Sequence, residues 1–211
     1  MKKIKFVVAM LFAAFCVSTE VNAQTFSDNV TREYKPTKAI KKEAKRLEKE
    51  GWSVEAGSMP MAEQLQRSNY FYKEITAEGS ARYAIGVGKT KSQYYDAGRA
   101  QAIELARLNA ASQIQTELAS EAKTILGNDQ AEQITSYINT SKGMKSLVSQ
   151  NLKQTIVILE LSREFPDGTC EVLIRVAADR EQVKREAKRA IREEMKKRGD
   201  KILKDLDERG W

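Results

Sequence analysis

Gly86-Val-Gly-Lys-Thr90 reproduces the second half of a phosphate-binding loop and stands between strand-like and helix-like patterns. The complete loop needs a glycine five positions before Gly88, because several consecutive backbone amides must wrap the phosphates; that position is Tyr83. The helical pattern also begins several residues too late, so nucleotide binding is not expected. Carboxylate pairs for acid–base work, Glu193 with Glu194 and Asp167 near Glu171, lie in charged helix or hairpin contexts, where nothing in the sequence would desolvate them and raise a pKa. Ser146 near Lys142 has the composition of a histidine-free nucleophile, but serine, threonine and lysine are common enough here for such a pair to arise by chance. The chain contains no histidine, which excludes His-based triads, imidazole bases and histidine-ligated zinc. No cofactor-binding or metal-ligand spacing is present.

Lys2, Lys3 and Lys5 precede an apolar run from Phe6 to Val17, and Val21-Asn22-Ala23 places small residues where a signal peptidase reads them. The expectation is a secretory signal over residues 1–23, cleaved between Ala23 and Gln24. Its apolar core, about a dozen residues, is too short to span a bilayer as a helix. A lipoprotein signal would want a small residue just before Cys16 and leucine three before it; those positions hold Phe15 and Ala13. Lipid anchoring at Cys16 is therefore disfavoured against soluble export to the periplasm or beyond. The mature chain then keeps only Cys170, which cannot form an intramolecular disulfide and which alternates with Val172, Ile174 and Val176 as a small buried hydrophobe would. Asn29-Val-Thr31 and Asn139-Thr-Ser141 match the glycosylation sequon, which matters only in a eukaryotic secretory route.

These groups need elements to position them. Residues 24–36 are polar and read as a loose arm. Over 37–50, Ile40, Ala44 and Leu47 recur at helical intervals amid lysine and arginine, with Thr37 to cap the start and Gly51 the end. So narrow a stripe places the helix at the surface, outside the core, and Lys38, Lys41, Lys42, Lys45 and Arg46 form its candidate interaction face. Trp52 follows as an anchor. Leu65, Tyr70, Phe71 and Tyr72 cluster in a segment that fits helix or extended chain.

A core domain is expected over 76–211, after the signal and an N-terminal region of 24–75. Tyr83, Ile85 and Val87 alternate with Ala84, Gly86 and Gly88, a strand with one face of very small residues. Glycine weakens a strand, so another element must approach that face closely. The pattern over 93–126 supplies one: Ala100, Ile103, Ala106, Ala110, Ile114, Leu118, Ala122 and Ile125 mark a long helix that must kink or overhang the sheet. A second helical stretch is expected over 129–140. Residues 155–161 are β-branched and apolar, and Pro166-Asp167-Gly168 joins them to a strand from Cys170 as a hairpin. Asp179 with Gln182 opens a terminal helix whose stripe is Val183, Ala187, Ala190, Ile191 and Met195. The fold class is α+β: a three-stranded, mainly antiparallel sheet, one strand plus a hairpin, with helices on one face.

The strand ending Ala84-Ile-Gly-Val-Gly88, followed by Ala97, Ala100, Ala106-Arg107, Ala110 and Ile114 on one helix, then a hairpin and a terminal helix, resembles the LPP-twenty lipoprotein family, whose fold is similar to the N-terminal domain of the flagellar T-ring protein FlgT. The resemblance covers about residues 80–180 and rests on small-residue spacing. It implies a cell-envelope protein without a catalytic site. Together with the signal and the missing catalytic groups, it leads to the expectation of a non-enzymatic envelope binding or assembly protein. Its partner would be another protein or a second copy, with weak contact to an anionic envelope surface and no nucleic acid. The alternatives are a carrier of a small apolar or envelope-derived ligand, suggested by the aromatic cluster, and a histidine-free hydrolase.

Overall fold

A computed structural model describes residues 34–126, 155–198 and 208. The signal with its cleavage position Ala23/Gln24, both sequons, the Lys142/Ser146 pair and the helical stretch at 129–140 lie outside them. Contacts divide the chain between Tyr34 and Lys35, and the unit from Lys35 onward is the one with describable structure.

Its elements, in chain order, are α1 (Lys38–Lys49), α2 (Met61–Lys73), β1 (Tyr83–Ser92), α3 (Tyr95–Leu126), β2 (Ile156–Glu164), β3 (Cys170–Asp179) and α4 (Arg180–Arg198). The three strands form one antiparallel sheet in the order β1-β3-β2. The central strand is thus the second arm of the hairpin. The turn closes as its residues dictate: Gly168 takes φ +78°, its N–H donates to the Phe165 carbonyl at 3.0 Å, and the Asp167 carboxylate accepts from the Thr169 N–H at 3.0 Å.

One face of the sheet meets α3. A Cβ added at Gly86 would collide with the Ala106 carbonyl and lie 2.9 Å from the Ala110 nitrogen; one at Gly88 would collide with the Ala102 carbonyl. The glycines thus let helix and strand backbones touch, as the small-residue face requires. The buried helical stripe runs through Ala102, Ala106, Ala110, Ile114, Leu118 and Ala122, while Ala100 is exposed and Ile103 only half-buried. The periodic pattern is right and its first turn is displaced, because alanine's single methyl group carries too little preference to set phase. With 32 residues, α3 overhangs the sheet. Its far half is covered by α4, whose Val183, Ala187, Ile191 and Met195 join Leu118 and Ala122 in one apolar cluster. The Asp179 carboxylate caps α4, accepting from the Gln182 N–H at 3.0 Å. Cys170 is buried beside Val172 and Ile174 in the same cluster.

The opposite face is covered too, which corrects the expectation of helices on one face only. Ala44 of α1, with Trp52, Met61 and Leu65, packs on Leu159 and Leu161, and Phe71 of α2 packs with Tyr83, Ile85, Ile158 and Ala177. A register shift between Val157 and Leu159 makes this possible. The irregularity lets the consecutive Ile158 and Leu159 both join clusters on this face, and it turns Glu160 toward the start of α3. Helix α1 lies at the surface, as its narrow stripe implies, yet it is not outside the core: that stripe is docked. Residues 61–73, ambiguous by sequence, are helical because Met61, Leu65, Ser68 and Phe71 all bury toward the strands.

Candidate functional site

Helix α1 is fastened along its length. The Thr37 side chain accepts from the Ile40 N–H, and the Thr37 N–H donates to Gln66 Oε1 at 3.2 Å, tying the start of α1 to α2. At the other end Gly51 takes φ +86°. Its N–H donates to the Glu48 carbonyl and the Trp52 N–H to the Leu47 carbonyl, each at 3.0 Å. That is a Schellman closure, and Trp52 and Leu47 make its accompanying apolar contact. Ser53 then exchanges two backbone hydrogen bonds with Ser162 on the edge of β2, so the segment after the helix joins the sheet.

Ile40, Ala44 and Leu47 point into the apolar cluster. At about 100° per residue, the opposite side of the helix holds Lys41, Lys45, Lys38, Lys49 and Lys42 within an arc of about 100° and no other residue. All five are exposed. Among the described residues no hydrogen bond or ion pair engages their side chains.

Arg46, which the sequence places on the same face, lies apart. Its guanidinium donates to Glu43 at 2.6 and 3.0 Å and pairs with Glu50. The hydrogen bond from Arg46 holds the Glu43 carboxyl below its ordinary range, and Glu43 in turn pushes Arg46 further up. The arginine is therefore neutralised within its own helix. Lys49 takes its place in the arc; helical spacing from Lys38, Lys42 and Lys45 is the signal that would have found it.

The other charged clusters are internally matched. Tyr95 Oη donates to Glu160 Oε1 at 2.7 Å, and Arg99 donates to both oxygens of the same carboxylate. Burial, then the adjacent Glu160, pushes the Tyr95 phenol upward, which keeps it protonated and makes the group a latch between α3 and β2. Glu171 lies between Lys89 at 2.9 Å and Arg163 at 2.7 Å. Burial disfavours its charge, but the two cations outweigh that and hold its carboxyl low. Asp167 is lowered to about 2 by the Thr169 hydroxyl and N–H and by Lys91. Lys184 contacts Glu121, Glu181 and, at 3.9 Å, Glu117, which staples α4 to α3. Glu193 pairs with Arg189 on the surface.

Tyr70, Phe71 and Tyr72 do not form an open platform. Phe71 is fully buried, 4.7 Å from the Tyr83 ring centroid, with Tyr70 edge-on to it at 5.9 Å. Arg175 lies over the half-exposed Tyr72. Gly86 to Thr90 lie inside β1, so their amides belong to a strand and cannot fold around a phosphate. Among the described residues no group of His, Cys, Asp and Glu side chains could hold a metal ion, and no helix is long and apolar enough to cross a membrane. No family model, no curated protein and no solved structure matches the chain.

Proposed function

We propose that the chain is a non-enzymatic binding or assembly protein of the bacterial cell envelope, exported by the signal at residues 1–23, and that it works by surface contact through α1. The observation that carries this reading is the arc of Lys38, Lys41, Lys42, Lys45 and Lys49. Five like charges without a carboxylate among them repel one another, and a partner of opposite charge relieves that repulsion. Elsewhere, the cations of the Glu160, Glu171 and Glu121 clusters already face carboxylates. Of the aromatic residues that motivate the carrier alternative, Phe71 and Tyr70 are occupied in packing, and the half-exposed Tyr72 lies under Arg175.

Crosslinking in intact cells tests the reading. The exported protein, beginning at Gln24, is expected to yield a discrete complex from the envelope fraction, and Lys38→Gln/Lys42→Gln/Lys45→Gln is expected to lose most of it. Recovery of the same complex from both proteins would remove α1 from the contact. A small apolar molecule co-purifying with both would favour the carrier.

A further inference from the structure

We infer that the lysine arc of α1 is a docking surface for an anionic phospholipid bilayer, held at the headgroups by charge alone. This rests on the contact reading above and names its partner. An amphipathic helix that binds lipid in the usual way buries its apolar side at the acyl boundary. In α1 that side is already used, because Ile40, Ala44 and Leu47 sit against Trp52, Met61, Leu65 and Leu161. What faces outward is lysine, with no aromatic or aliphatic residue in the arc to insert.

The face cannot roll. Thr37 is tied to Gln66, Gly51 and Trp52 close the C-terminus, and Arg163 Nη1 donates to the Glu50 carbonyl at 3.4 Å. From Lys38 to Lys49 the charges extend about 16 Å along the axis at a rise of 1.5 Å per residue. Five point charges on flexible stems suit a fluid array of headgroups. A partner presenting fixed carboxylates would be met better by the planar fork of arginine. The one arginine near the arc, Arg46, is held by Glu43 and Glu50. Glu48 on one side, and Glu43 and Glu50 beyond Arg46 on the other, bound the arc, so the contact is a tangent line along the helix.

The test uses the chain from Gln24 onward and co-sedimentation with large vesicles, either phosphatidylcholine alone or phosphatidylcholine mixed with phosphatidylglycerol. Binding is expected only to the mixed vesicles. It should disappear as salt rises from about 0.1 M to about 1 M, which shortens the Debye length from about 10 Å to about 3 Å. Lys38→Gln/Lys42→Gln/Lys45→Gln should weaken partitioning about a hundredfold, at roughly fivefold for each lysine. The matching lysine-to-arginine triple should retain it. A second triple, Lys73→Gln/Lys123→Gln/Lys196→Gln, removes the same charge from other exposed sites and should bind nearly as wild type.

Equal loss in both glutamine triples would mean that net charge, not the arc, drives adsorption. Salt-resistant binding would mean insertion. Either result overturns the inference. Absence of vesicle binding, with the crosslinked complex still lost in the arc variant, overturns the lipid assignment while leaving the contact reading intact.

Discussion

On the face that meets α3, Ala84, Gly86 and Gly88 stand against Ala102, Ala106 and Ala110, and backbone lies almost on backbone. On the opposite face Trp52, Met61, Leu65, Phe71, Tyr83 and Leu161 fill a wider gap beneath two short helices. There the rim is made by cations over rings: the Arg163 guanidinium carbon lies 4.7 Å from the Trp52 centroid and 5.1 Å from that of Phe165. The first contact depends on atoms that are missing and fails by addition. The second depends on bulk that is present and fails by removal. On the second face three apolar residues, Ile40, Ala44 and Leu47, suffice to seat α1, and the opposite side of that helix is left to its lysines.

The largest effect should follow from addition on the tight face. Gly86→Leu puts a branched side chain where even a Cβ meets the Ala106 carbonyl, and is expected to cost upward of about 4 kcal/mol, beyond ordinary overpacking of about 1–3 kcal/mol. An unchanged urea midpoint would show that β1 and α3 are not in this contact. Removal on the wide face should come next. Phe71→Ala empties a fully buried site and is expected to destabilise by about 3 kcal/mol or somewhat more, read from the same titration. A loss below about 1 kcal/mol would mean that α2 collapses to fill the space.

The smallest effect sharpens the rim and depends on pH. Glu171 has a native carboxyl held below its ordinary value near 4.3. Its ion pairs therefore stabilise fully above about pH 4.3, and that stabilisation is lost as pH falls through the lowered native value. Glu171→Gln should be less stable than wild type by about 1 kcal/mol at pH 7. The two should converge at pH values below the native pKa of Glu171. A gap that persists in acid would assign the effect to shape and not to charge.

Parts of this were legible in the residues. Pro166-Asp167-Gly168 announces a turn because few residues tolerate φ near +78°. Gly86 and Gly88 announce close approach because a strand gains nothing else from them. The capping of α4 by Asp179 follows from side-chain reach alone. The candidate site was half legible: four of its five lysines are evident from spacing, whereas the inclusion of Arg46 overlooks carboxylates three residues before it and four after it that share its turn of helix.

Less visible is what closes the sheet's edges. On β1, Asn109 Nδ2 donates to the Val87 carbonyl at 2.5 Å, Gln113 Nε2 to that of Ile85 at 2.8 Å and Arg180 to that of Tyr83 at 3.1 Å. On β2, buried Gln64 accepts from the Glu160 N–H at 2.7 Å while donating to the Met59 carbonyl at 2.8 Å. These polar residues read as ordinary helix surface until the helices are placed, and they protect edges that would otherwise invite another strand.

The sequence by itself determined the element types other than that of 61–73, the hairpin, the close strand–helix contact and the direction in which the lysines of α1 stand relative to its apolar stripe. Those follow from local geometry: turn dihedrals, the two-residue period of strands, and about 100° of rotation per helical residue. Tertiary structure alone decided that β3 lies in the centre of the sheet and that α1 and α2 cover its second face. It also decided that the irregularity beyond Val157 turns Glu160 toward Tyr95 and Arg99, and that the ion pairs join residues as far apart as Arg82 and Asp179. Periodicity records which residues of one element share a face. It holds no record of the element that face meets, because that choice is made by the packing of all the faces at once.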